Sequence, residues 1–201
     1  VALLRWKPGY PTRDLPREGF FSAIYAGLRY VSLSPNLLTV LLRAFLFGLS
    51  AVAVLALLPI VAREILQAGA TTFGGLLGAF GAGAIVGAVA NESARERFSN
   101  ETIVRAASLI FALSTALLGL SENVIASHLL LLPAGASWVL TLSLFNVTVQ
   151  LSTPRWVVGR ALSIYQTAVF GGMALGSWIW GAMADAQGSP AALMGAAAML
   201  V

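Results

Sequence analysis

Acidic and basic residues cut this chain into long apolar runs. Residues 44–62, 65–91, 106–121, 123–154 and 161–184 contain no Asp, Glu, Lys or Arg, and nothing charged follows Asp185. An α-helix rises about 1.5 Å per residue, so roughly twenty apolar residues cross a hydrocarbon core of about 30 Å. The runs predict five membrane-spanning helices, near 37–62, 67–90, 102–120, 124–149 and 161–183, and a sixth that starts near Pro190 and is cut at residue 201. The third is the shortest and needs its flanking residues. Helices are required because lipid offers no partner to free backbone N–H and C=O groups. A β-barrel would need short alternating segments, and these runs are continuous. Val1 is not Met, and Val201 lies inside an apolar run, so part of a larger protein is expected. The polar, Arg- and Pro-rich first twenty residues do not have the form of a signal peptide.

The segments between the runs predict a topology. With alternating crossings, residues 1–36, 91–101 and 150–160 share one side. That side holds Arg5, Lys7, Arg13, Arg17, Arg29, Arg95, Arg97, Arg155 and Arg160, with Arg43 and Arg105 just inside spans that begin there. The other side holds only Arg63. The positive-inside rule places residues 1–36 in the cytoplasm, as a linker preceding a transmembrane bundle over 37–201. Pro8, Pro11, Pro16 and Gly9 keep the start of the linker irregular. Phe20, Ile24, Leu28 and Val31 then recur at helical spacing, which predicts a short amphipathic helix on the membrane surface or against the bundle.

Composition narrows the class. Of 201 residues, 58% are apolar and 10% charged, and mean hydropathy is +0.85. A soluble domain carries about 25% charged residues, so an ordinary soluble enzyme and a disordered chain are excluded. Zero Cys excludes a disulfide scaffold and thiol metal sites. The net charge of +4 does not imply nucleic acid, because the basic residues form a rim whose nearest anionic partner is the lipid headgroup. No carboxylate pair, metal-ligand spacing or nucleophile–base arrangement is present, so neither an enzyme nor a cofactor is expected.

Glycine concentrates in the second and fifth spans. Gly74/Gly78, Gly83/Gly87 and Gly172/Gly176 are each at GxxxG spacing, which lets helix backbones approach closely. The pairs serve either static packing or a rocking interface. The similar placement in spans two and five suggests an internal repeat of three spans, as inverted repeats in transporters do.

Short sequence runs then become specific. They are Gly27-Leu-Arg-Tyr30 with Ser34-Pro35, and Leu57-Leu-Pro59-Ile-Val-Ala62-Arg63. They continue with Pro154-Arg-Trp-Val-Val-Gly159-Arg160-Ala-Leu and Phe170-Gly-Gly-Met-Ala-Leu-Gly-Ser-Trp178. In order and spacing the chain resembles, over essentially all its length, the C-terminal half of a major facilitator superfamily transporter. More narrowly it resembles the bacterial drug:proton antiporter-3 branch, which includes siderophore and macrolide exporters. The resemblance implies an all-α membrane protein, the C-terminal six-helix half of that fold, with five full transmembrane helices and a truncated sixth. Spans one and four would line a central cavity, two and five would rock against an N-terminal half, and three and six would face lipid. The partners implied are that N-terminal half, the bilayer of the cell (inner) membrane, a small-molecule substrate and protons. The superfamily's cytoplasmic loop motif, Gly-x-x-x-Asp-Arg-x-Gly-Arg-Arg, is matched by Gly87 and Arg95. Asn91 replaces its Asp, Glu92 its first Arg, Ala94 its second Gly and Glu96 its last Arg, so the motif's charge relay is not expected of this copy. Gly159 and Arg160 belong to the matching loop before span five.

Polar residues inside the spans are the candidates for the site. Span four carries Ser137, Thr141 and Thr148 on one face and Ser143, Asn146 and Gln150 on another; span five carries Ser163, Gln166, Thr167 and Ser177 opposite Tyr165, Gly172 and Gly176. Hydroxyls often serve only packing in membrane helices, whereas a buried carboxamide costs several kcal/mol if unpaired, on the order given for amides in apolar media. The candidate substrate-cavity residues are therefore Ser50, Ser137, Trp138, Thr141, Asn146 and Gln166. His128 is read as interfacial packing rather than a proton relay, and Arg43 and Arg105 as snorkelling to headgroups rather than a gating pair. Trp156 fits an interfacial anchor. The expected function is efflux of a small amphipathic molecule by alternating access, with proton coupling in the N-terminal half; a polytopic membrane scaffold or sensor is the alternative.

Overall fold

A computed structural model describes residues 19–201, which form seven α-helices. These are α1 (Phe20–Ser32), α2 (Pro35–Ile60), α3 (Ala70–Arg97), α4 (Asn100–Leu120), α5 (Val124–Leu151), α6 (Val158–Gln187) and α7 (Ser189–Met199). The prolines, lysine and arginines of the first eighteen residues lie outside the described part.

Local chemistry sets the ends. Pro35 occupies the first turn of α2, where its missing N–H costs nothing. Pro59 sits near the other end, and the helix widens into a π-turn over Val61–Ile65, closed by Leu66 N–H donating to the Val61 carbonyl at 3.0 Å. Gln67 then takes a left-handed φ of 47° and turns the chain into α3. Ser99 caps α4 by accepting from Thr102 N–H at 3.2 Å, and Asn123 caps α5 by accepting from Ile125 N–H at 2.8 Å and Ala126 N–H at 3.2 Å.

The second span is longer than its apolar run. α3 does not end near Ala90 but continues to Arg97, so Asn91–Arg97 is two further helical turns and not a loop. Ala94 and the Glu and Arg around it favour helix, no proline intervenes, and Arg95 and Arg97 suit a helix C-terminus. α6 likewise begins before Ala161 and ends beyond Met183. Four helical stretches, Pro35–Ile65, Ala70–Arg97, Asn100–Leu120 and Val124–Leu151, are long and apolar enough to cross a membrane. α6 is long enough at 30 residues, but its Ser, Gln, Thr and Gly content leaves it less apolar than those four.

α2 is the central helix. Ala44, Ala51, Ala53, Val54, Leu57 and Leu58 are fully or almost fully buried. α6 lies along α2, α3 along α5, and α4 against both α5 and α7. Glycine makes two of these pairings close. A Cβ at Gly83 would collide with the Leu132 carbonyl and one at Gly135 with the Phe80 carbonyl, so α3 and α5 touch backbone to backbone. A Cβ at Gly172 or Gly176 would strike the Phe45 or Leu49 carbonyl, which does the same for α6 and α2. One polar side chain adds to the α6–α2 pairing and another ties α6 to α5. Trp180 Nε1–H donates to the Leu49 carbonyl at 2.7 Å, and Tyr165 O–H donates to the Leu142 carbonyl at 2.9 Å. The middle of the bundle is aromatic. Trp138 packs about equally against Phe47, Phe80 and Phe111, with ring centroids 6.1, 6.0 and 6.0 Å away.

Candidate functional site

The faces of α5 decide which polar residues share a site. Positions 137, 141, 144 and 145 turn into the bundle and are buried, whereas Trp138, Leu142, Ser143 and Asn146 border an open groove against α6. From α6 the groove receives Tyr165, Gln166, Phe170 and Met173. Its volume is about 450 Å³, within the usual range for small-molecule sites, about 300–1,000 Å³. None of the residues lining it is charged.

The groove brings together three of the six cavity candidates, Trp138, Asn146 and Gln166. The other three lie inside the bundle. Ser50, Ser137 and Thr141 are at most 3% exposed, and the hydroxyls of Ser50 and Thr141 have no hydrogen-bond partner among the described residues. Trp138 is also not free to lie flat on a ligand, because Phe47, Phe80 and Phe111 crowd its ring, leaving part of it at the groove wall.

Two hydrogen bonds orient the polar wall. Gln150 Nε2–H donates to Asn146 Oδ1, which leaves the Asn146 N–H groups to donate elsewhere. Asn91 Nδ2–H donates to Ser143 Oγ at 3.0 Å, so the extended end of α3 holds a hydroxyl of the groove. Asn91 Oδ1 is buried without a partner. Sequence spacing gave no signal for the Asn91–Ser143 link, whose members lie 52 residues apart.

The residues of the loop motif fall in two places. Asn91 and Arg95 line a polar cavity of about 530 Å³ with Glu92, Glu96 and Asn100. Gly159 and Arg160 begin α6, and Arg160 lies against Gly27 of α1, its Cβ 3.0 Å from where a Gly27 Cβ would stand. Tyr30 of α1 meets Trp156 edge-on at 5.8 Å, so α1 docks beside the start of α6. The glycine pairs also divide. Gly83, Gly87, Gly172 and Gly176 are pressed against helix backbones, whereas Gly74 and Gly78 face open space.

The charged residues just inside the spans behave differently from lone snorkelling arginines. Arg43 Nη1 and Arg105 Nε both reach Glu101, at 2.7 and 2.9 Å, which joins α2 to α4. All three side chains are largely exposed, so their pairing is screened. His128 Nδ1–H donates to the Val124 carbonyl at 2.7 Å, and its Nε2 edge rests against Gly75 of α3. Among the described residues, no group of three or more His, Cys, Asp or Glu converges as metal ligands do.

Apolar helices of spanning length, joined by short breaks and carrying an uncharged groove, define a polytopic all-α membrane protein of the transporter kind. A family model described as transmembrane secretion effector matches residues 1–201, and the chain belongs to that family. The family has the major facilitator superfamily fold, and its general function is transmembrane transport of the efflux type rather than enzyme catalysis. No curated protein and no solved structure matches the chain.

Proposed function

We propose that the chain forms the C-terminal half of a drug:proton antiporter-3-like exporter in the cell inner membrane and moves a small amphipathic molecule outward by alternating access. The observation that carries this reading is the α5–α6 groove, where an uncharged aromatic and aliphatic wall is interrupted by the carboxamides of Asn146 and Gln166. A few placed polar groups on an apolar wall are what a binding site for such a molecule requires. In this reading the groove faces the N-terminal half across the translocation path and runs from the middle of α5 toward its cytoplasmic end. Gly74 and Gly78, open on α3, belong to the rocking surface toward that half. Gly83, Gly87, Gly172 and Gly176 hold this half rigid.

Residues 1–36 lie in the cytoplasm, with α1 lodged against the start of α6. No Asp, Glu or Lys stands within the spans away from their ends, so the proton site belongs to the N-terminal half. Ser50, Ser137 and Thr141 support the groove from behind rather than touching the substrate, because they are buried in the bundle.

Efflux of a fluorescent amphiphile from proteoliposomes of the full-length protein, driven by a pH gradient, tests the reading. The expected result is substrate release that collapses with a protonophore and falls about fivefold or more in Asn146→Leu or Gln166→Leu, the cost of one lost hydrogen bond. Release at the rate of protein-free vesicles would sink it. Joining this half to a coupling-dead N-terminal half should give no proton-driven efflux.

A further inference from the structure

The groove wall also carries information about the charge of its ligand. Its lining holds no Asp, Glu, Lys, Arg or His, so an anionic ligand seated there would lose hydration and find no cationic partner on this wall. An aromatic face can attract a cation, but Trp138, the largest ring of the wall, has Phe47, Phe80 and Phe111 packed on it. The Tyr165 hydroxyl is committed to the Leu142 carbonyl.

Both kinds of hydrogen-bonding group remain. Ser143 accepts from Asn91 and keeps its own O–H to give, and Asn146 accepts from Gln150 and keeps its N–H groups. Gln166 is exposed and offers both a carbonyl and an amide. The remaining wall, with Val139, Phe170 and the pliable thioether of Met173, suits a planar apolar body.

We infer that the α5–α6 groove is a seat for an uncharged aromatic molecule that bears a hydrogen-bond donor and an acceptor, and that it rejects anionic amphiphiles of the same shape. The inference rests on the reading of this groove as the substrate face. It deepens that reading by making Asn146 and Gln166 the residues that set selectivity by charge.

N-phenyl-1-naphthylamine and 8-anilino-1-naphthalenesulfonate share one ring scaffold and differ by a sulfonate. Binding of each to the full-length protein in zwitterionic nanodiscs is read by energy transfer from tryptophan, with protein-free discs as the blank. The neutral probe should bind at least about tenfold more tightly than the sulfonate. Gln166→Leu, which removes the acceptor for the probe's single N–H, should weaken the neutral probe about fivefold, the loss of one net hydrogen bond.

Gln166→Lys, at an exposed position that tolerates a long side chain, should narrow or reverse the preference by tightening the sulfonate. Gln166→Glu, of similar length and opposite charge, should not tighten the sulfonate, which separates the charge effect from apolar surface exposed by misfolding. Equal affinity for the two probes in the unmodified protein, or no response of the sulfonate to Gln166→Lys, overturns the inference. A neutral preference that obeys these substitutions in a protein that shows no efflux supports the groove's selectivity while sinking the transport reading. Efflux of the sulfonate with no neutral preference overturns the selectivity and leaves transport standing.

Discussion

Ser50 and Thr141 each bury a hydroxyl with no partner. Such a group costs about 1–3 kcal/mol, and removing it with little change of shape relieves the cost. Ser50→Ala and Thr141→Val should leave the melting temperature unchanged or raise it, measured in detergent by tryptophan fluorescence. A fall of several degrees would mean that the hydroxyls are satisfied. Trp180 gives the opposite case, since its indole N–H bonds the Leu49 carbonyl inside the bundle. Trp180→Phe should destabilise by about 1–2 kcal/mol through the lost bond and lost volume, read in the same melt. These contrasts show what single residues disclose. Asn146 and Gln166 stood out in the sequence because a carboxamide is costly in lipid, and the groove holds both. A small hydroxyl costs less and signals less: helical spacing put Ser143 on a different face of its span from Ser137 and Thr141, but did not say which face turns into the core. Arg43 and Arg105 were visible as charges near a boundary, but their common partner Glu101 depends on how α2 meets α4.

At the scale of the helix, the uncharged runs marked the long elements but missed their ends, at the close of α3 and on both sides of α6. Hydropathy marks where lipid stops, and a helix need not stop there. α3 runs on for two polar turns because its residues still favour helix after the apolar run has ended. Glycine spacing was readable too, but spacing alone did not tell an inward glycine from an outward one. Gly83 faces the Leu132 carbonyl, and Gly78 faces nothing within this chain. Gly83→Leu should therefore force α3 off α5 and cost about 3 kcal/mol or more, seen as loss of the folded fraction on size exclusion. Gly78→Leu should leave folding of this chain intact. Equal damage from both would contradict the packing described. Gly188 is a third kind of position, with φ +89° and ψ 154°, in a region reserved almost wholly for glycine. Gly188→Ala should cost about 1–3 kcal/mol, read as a lower melting temperature, because it is the hinge residue between α6 and α7.

Over the whole molecule, the distribution of arginine is the feature from which the proposed orientation is read. Single cysteines at Ser93, on the exposed end of α3, and at Glu122, between α4 and α5, should react with a membrane-impermeant maleimide from opposite faces of intact cells and inverted vesicles. Reaction of both from one face would remove the topology and with it the cytoplasmic placement of α1. The fold class was legible at this scale because it depends on bulk composition, which needs no contact information. The pairing of helices was not, because it depends on which carbonyl each glycine meets.

The crossings at Gly83, Gly135, Gly172 and Gly176 leave no room for so much as a methyl group. Joints of this kind act as welds, since they have no side chain to rotate aside and no slack to slide through. Compliance in this bundle is then pushed out to its rims: the widened turn after Ile60, the short break at Phe98 and Ser99, and Gly188.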